Sequence, residues 1–266
     1  MLFSKMQEKP NYYFVPYKYG CFSFQAMADL STMQKYQQLT ISNAGITKVD
    51  PTDYIAALKE NDRRALSKLY LLHNSKDYTD LIKYTYRKYP YFAIHSEIAD
   101  RYLTKKEVEE VKKHKPIDTR TVLYTIGYEG ITLEEYLNKL ITMDVKVLVD
   151  VRNNPMSMKY GFTKSQLLNA CTSVGLQYVH FPEVGIISEQ RQELNRQIDF
   201  DILFERYRKE TLPKTITTQQ KILLLLKENN RIALTCFEGN ICQCHRKHLA
   251  EAIIRLPDWN YELIHL

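Results

Sequence analysis

The sequence predicts an α/β protein, a parallel and doubly wound sheet domain preceded by a mostly helical domain. Three observations carry this. Charge is uneven: residues 1–120 hold 20 Lys and Arg against 14 Asp and Glu, while the remainder holds 17 of each. Thirteen of the 20 tyrosines fall in the basic part. From residue 121 onward, short β-branched runs alternate with stretches of helical period, the pattern of parallel βαβ units. The charged run before residue 115 and the segment HKPIDTR mark a boundary near residue 116, giving domains over 1–115 and 119–266.

The elements follow in order. NYYFVPYKYG reads as an extended entry and turn ending at Gly20. Ser23 caps a helix with Phe24, Met27 and Leu30 on one face. Residues 37–48 read as a β element turning at Asn43–Gly45, the wing of this domain. Helices are expected over 53–60, 63–73 and 77–88, the last stopped before Pro90. Ser96–Leu103 and Thr104–Lys113 follow, with Thr104 and Glu107 at capping-box spacing.

In the second half, VLYTIGY is a strand ending at glycine. Thr132 and Glu135 form a capping box for a helix carrying Leu133, Tyr136, Leu137, Leu140 and Ile141 on one face. KVLVDVR is a buried strand, Thr163 and Gln166 open a helix through Val174, and LQYVHF is a short strand. Residues 188–210 are polar and partly helical, and 216–229 are a helix. RIALTCF is the fourth strand, 242–256 a helix, and NYELIHL an edge strand.

Hydrophobic residues at 44% and charged residues at 26% exclude a disordered or fibrous chain. No apolar run approaches the ~20 residues of a membrane span, and MLFSKMQEKP lacks a secretory apolar core. Five cysteines, three of them within nine residues, do not form a secreted disulfide framework. These features predict a cytoplasmic protein with reduced thiols and no membrane contact.

Ligands of such a sheet collect beyond the carboxyl ends of its strands. Polar residues recur there: Gly127-Tyr128-Glu129-Gly130, Asp150-Val151-Arg152-Asn153-Asn154, His180-Phe181-Pro182-Glu183 and Cys236-Phe237-Glu238-Gly239-Asn240. TIGYEG, VDVRNNPMSMKYGF, YVHFPEVG and CFEGNICQCHRKHLA resemble the ordered motifs of the Domain of Unknown Function 488 family, over roughly residues 121–255. The basic N-terminal part, with VPYKYGCFSFQ, is similar to the winged-helix-like extension of longer family members, and also to an antitoxin-associated module sharing a Y-x-Y-G pattern. A leading helix of that extension is expected to be missing, because Met1 falls just before NYYFVPYKYG. The resemblance implies a fold and a pocket, not a reaction.

The candidate catalytic groups are Asp150, Glu238 and Cys244. Tyr128, Arg152, His180, His245 and Arg246 are the candidate substrate-binding groups. A carboxylate and a guanidinium at a strand tip suit acid–base work and the forked binding of an anion, against the alternative of a structural salt bridge. Cys244, at a helix start beside His245 and Arg246, is expected to have a lowered pKa. Asn240 and Gln243 have the spacing of an N-cap and its N3 partner. Glu129, Glu183 and Glu238 are further acids at strand ends, and Tyr128 and Tyr178 could stack on a base.

The cysteine–arginine spacing of a tyrosine phosphatase is absent, since Cys236 is followed six positions later by Cys242 and Cys244 by Ala250. No glycine-rich dinucleotide fingerprint or Walker loop is present. Cys236, Cys242, Cys244, His245 and His248 have zinc-ligand chemistry but not finger spacing, so neither metal nor cofactor is expected.

Three functions remain open. One is an enzyme-like domain acting on a nucleotide, nucleoside or nucleic acid, by hydrolysis of a glycosidic or phosphoester bond. The second is a non-catalytic sensor of an anionic ligand. The third is a thiol enzyme using Cys244. Residues 1–115, with Tyr12, Tyr13, Tyr17 and Tyr19 near Lys18, and with Arg63, Arg64, Arg87 and Lys88 on helices, are expected to meet nucleic acid or a protein partner.

Overall fold

Unbroken burial along Val122–Gly127 and Arg231–Cys236 marks the centre of a sheet covered on both faces. It lies in the second of two units, Met1–Lys115 and Pro116–Leu266. The computed structural model describes every residue except 43, 44, 192, 193 and 195.

In the first unit, β1 (Val15–Tyr17) and β2 (Gly20–Phe22) form an antiparallel hairpin. Gly20 has φ +108°, and a Cβ there would fall 2.9 Å from the Tyr86 ring, so glycine is required twice over. The Ser23 hydroxyl accepts from the Ala26 amide and caps α1 (Phe24–Lys35). β3 (Leu39–Ser42) and β4 (Gly45–Lys48) make the second, largely exposed hairpin. Asn43, in the expected turn, lies outside the described residues.

Then come α2 (Glu60–His73), α3 (Tyr78–Lys88), α4 (Ala99–Tyr102) and α5 (Lys105–Lys113). Their core joins Ile82, Tyr86, Ala93, Ile98, Ala99, Leu103 and Val111. The capping box of Thr104 and Glu107 forms, and Glu107 also accepts from Arg87 at 2.7 Å. A helix over 53–60 does not form. The Asp53 carboxylate accepts from the Ile55 and Ala56 amides as an N-cap would, but only a single turn over 54–57 follows. The helical unit with two small hairpins is compatible with a winged-helix-like domain.

The second unit runs β5 (Val122–Gly127), α6 (Leu133–Thr142), β6 (Val147–Asp150), α7 (Lys164–Ser173), β7 (Gln177–His180), α8 (Gln197–Arg206), α9 (Ile216–Asn229), β8 (Arg231–Cys236), α10 (His245–Ile253) and β9 (Glu262–His265). Five strands form one sheet in the order β7-β6-β8-β5-β9, every pair parallel, with β9 at the edge as expected. One register row crosses it through Ile126, Thr235, Asp150 and His180.

Alternate residues face opposite sides of the sheet. Leu123, Val149 and Leu234 pack with Ile222 and Leu226 of α9 and Leu249 of α10. On the other side the Tyr136 hydroxyl of α6 donates to Thr235 Oγ1 at 2.7 Å. Tyr136 also meets Phe162, two residues before the start of α7, edge-on at 5.2 Å, so α7 begins on the α6 side. The chain therefore leaves β6 toward one face and its neighbour β8 toward the other, which opens a crevice between their carboxyl ends.

Candidate functional site

β6 ends at Asp150, and two residues further on Arg152 lays its guanidinium against the Asp150 carboxylate. Asp150 and Arg152 are 0% and 5% exposed. Asp150 Oδ1 accepts from the Arg152 amide at 3.1 Å and from its Nε at 2.9 Å. Oδ2 accepts from Arg152 Nη2 at 2.5 Å and from the Tyr178 hydroxyl at 2.7 Å. Arg152 Nη1 donates to the Tyr128 hydroxyl at 2.7 Å and to the Phe162 carbonyl at 2.8 Å. Both partners of the pair thus have their hydrogen bonds inside the protein, the condition under which a buried pair is tolerated. Burial and then the Asp150 charge push the Tyr178 phenol well above its usual range, which keeps it a donor.

Tyr128 leaves β5 and is braced from both sides. Its ring stacks on Phe162 at 4.2 Å and meets Phe237 edge-on at 5.4 Å. The amides of Tyr128 and Glu129 both donate to the Phe237 carbonyl. This requires close approach at Gly127, where a Cβ would fall 1.9 Å from the Glu238 carbonyl oxygen. Gly127 and Gly185 are close-approach positions rather than turn residues. A Cβ on Gly185 would lie 2.2 Å from the Asn153 amide. Gly130, at φ +76°, is the turn residue.

The loop after β8 is fastened by Arg246, whose Nη1 donates to the Glu238 carbonyl and whose Nη2 donates to that of Gly239 at 3.2 Å. Glu129 closes the same loop by accepting from the Gly239 amide at 2.9 Å. Asn240 Oδ1 accepts from the Cys242 amide and caps a short 3-10 turn, while Cys244 is the N-cap of α10; the N-cap expectation for Asn240 is corrected accordingly.

Cys236 and Cys244 are both buried, and with His245 their ligand atoms lie within 4.8 Å of one another. Cys236 Sγ donates to Glu238 Oε2 at 3.1 Å and lies 3.7 Å from His245 Nδ1. His245 Nε2 is 3.1 Å from the Val151 carbonyl. The expected lowering of the Cys244 pKa is reversed. Burial, and then the hydrogen bond with Cys236, push the thiol well above its ordinary value, although Arg246 pulls the other way. Desolvation outweighs the helix start.

A cavity of about 290 Å³ opens in the crevice. Tyr128 and Arg152 line it, together with Asn153, Asn154, Cys236 and the exposed Phe237. His180 turns away and bonds the Arg152 carbonyl at 2.8 Å, and Glu183 accepts from Thr218 at 2.7 Å. The structure thus brings two of the eight predicted site residues to the cavity wall. Asp150 braces that wall from behind, and Glu238 stands beside Cys236. Asn153, Asn154 and Phe237 were visible in the strand-end motifs but carried no assigned role. Cys236 reads in the sequence as a buried strand residue. Pairing Cys236 with Cys244 and His245 requires the seven residues between the two cysteines to close on themselves, which spacing alone does not show.

Asp150→Asn should cost about 3–5 kcal/mol by leaving the Arg152 charge unmatched, and Tyr178→Phe about 1 kcal/mol by removing one hydrogen bond. Urea denaturation of the two variants measures both. An Asp150→Asn cost below that of Tyr178→Phe would show that the pair does not hold the site.

Among the described residues, no helix is long and apolar enough to cross a membrane. Neither a curated protein nor a solved structure matches the chain. The family match begins at Thr132, so the TIGYEG motif and the N-terminal extension lie outside it. Over residues 132–253, most of the second unit, the chain is similar to the family described as Domain of unknown function DUF488, whose model matches that stretch.

Proposed function

We propose that the α/β unit is an enzyme-like domain that takes a nucleoside or nucleotide substrate in the crevice between β6 and β8. The cavity at the topological switch point carries this reading. Phe237 offers an aromatic face on which a base can stack. Asn153, Asn154 and Ser157 offer amide and hydroxyl groups to a base edge or a sugar.

The charge balance favours the sugar and base over a polyphosphate. Arg152 is matched by Asp150, and Arg246 does not line the cavity and points its terminal nitrogens at backbone carbonyls, so neither offers a free guanidinium to an anion at the wall. Asp150 is a positioning residue, because four protein donors already occupy its oxygens. Glu238, beside the cavity-lining Cys236, is the acid–base group of this reading. Cleavage of a glycosidic bond is the chemistry that fits it best.

A thermal-shift panel of nucleosides and nucleotides tests the reading, since a ligand at 100-fold its Kd stabilises the fold by about 2.7 kcal/mol. Stabilisation should disappear in Phe237→Ala. Glu238→Gln should keep the shift and lose release of the free base. Stabilisation without any base release by the wild-type chain would favour a sensor. Absence of stabilisation by every member of the panel would remove the nucleoside reading.

We further propose that the first unit brings nucleic acid to the protein. A shallow depression on α3 gathers Lys76, Lys83, Arg87 and Lys88 around Tyr84. Two lysines sit over that ring, Lys76 and Lys88, each 5.3 Å from its centroid. Cations for phosphates beside an aromatic ring form a platform for a strand. Asp80 in the same depression tempers the charge. Binding of the full chain to single-stranded and duplex DNA should weaken as salt rises, and more steeply for wild type than for Lys83→Ala/Lys88→Ala. Binding that is indifferent to salt would favour a protein partner.

A further inference from the structure

We propose that Cys236, Cys244 and His245 form a binding site for a zinc-like divalent cation, set behind the wall of the crevice. The proposal rests on these three side chains and is independent of the substrate reading.

The donors come from two places that the fold forces together. Cys236 is the last residue of β8, and Cys244 and His245 open α10. The intervening loop is drawn shut by Arg246 on the Glu238 and Gly239 carbonyls. The three ligand atoms lie within 4.8 Å of one another, and all three residues are at most 1% exposed. Tetrahedral zinc holds sulfur at about 2.3 Å and imidazole nitrogen at about 2.0–2.1 Å, which places those two donors about 3.6 Å apart. Cys236 Sγ and His245 Nδ1 are 3.7 Å apart.

The imidazole is set up for ligation. A carbonyl can only accept, so His245 Nε2, 3.1 Å from the Val151 oxygen, carries the ring proton. In the neutral ring Nδ1 is then the nitrogen with the lone pair, and it is the one on the sulfur side. Donation of the far N–H to a backbone carbonyl is the arrangement that orients metal-ligating histidines.

Two sulfurs and an imidazole select zinc and its softer neighbours over magnesium or calcium. Three protein ligands leave a fourth position, and Glu238 and the cavity lie on the Cys236 side of the cluster. Of the other cysteine and histidine in this stretch, Cys242 is exposed and His248 is engaged with Arg208 and Glu251, so neither joins the cluster.

The test uses the full chain, reduced and stripped by a chelator, titrated with cobalt(II) and then zinc. Binding should saturate at about one equivalent, with thiolate-to-cobalt absorption that zinc abolishes. Cys244→Ser and His245→Gln should each weaken binding by about tenfold or more. Cys242→Ala and His248→Ala should leave it unchanged. Circular dichroism checks that each variant is folded. The wild-type titration decides the matter even if a variant misfolds, because folded wild type without saturable cobalt binding overturns the proposal. Equal loss in Cys242→Ala, or binding that persists in Cys236→Ser/Cys244→Ser, also overturns it.

Discussion

The buried pair of Asp150 and Arg152 is the constraint around which the crevice is built. An aspartate at a strand terminus with no exposure is costly unless its charge is matched and its lone pairs are filled. The chain meets that demand two residues later, where the side chain of Arg152 places its guanidinium on the carboxylate. The remaining Arg152 donors then reach Tyr128 at the end of β5 and Phe162 before α7. One ion pair therefore ties together segments that leave two different strands. The sheet carries a second buried arginine at its other end. Arg231, at the start of β8, is held by Asp118 at 3.1 Å and by the Met143 carbonyl at 2.8 Å. The first pair borders a cavity and the second is packed away, so the same chemistry serves site and scaffold at opposite ends of the strands.

The β8–α10 loop is the other half of the arrangement. Its backbone carbonyls are spent on Arg246, on Tyr128 and on Glu129, and that is why Gly127 has no room for a side chain. The loop holds Phe237 at the cavity and leaves Cys236, Cys244 and His245 facing one another beneath it. Rigidity here has a functional consequence, since groups held by packing and backbone bonds need little reordering when a ligand arrives.

Much of the fold was legible because its signals are local. Capping boxes at Thr104 and Thr132, the β-branched runs of β5, β6 and β8, and the stop before Pro90 all act within a few residues. The helix expected over 53–60 stops after a single turn, although Asp53 supplies the bonds of an N-cap. The site was less legible. Motifs placed polar residues at the strand ends correctly, yet their roles depend on burial and partners. Asp150 and Arg152 read as working groups, against the alternative of a structural salt bridge, and the structure shows them saturated by each other and by Tyr178 and Tyr128. Cys244 has the sequence surroundings of an activated thiol. Its burial, which only the tertiary packing of α10 on the sheet reveals, makes it the opposite.

The central claim is that the wall braced by Asp150 and Arg152, together with the loop after β8, forms one ligand-binding crevice. Hydrogen–deuterium exchange of the full chain, with and without a saturating nucleoside, tests it most directly. The account predicts slowed exchange in residues 151–158 and 236–240 together, with the sheet interior unchanged. Saturation by the ligand with protection confined to other segments, or in only one of these two loops, would contradict it.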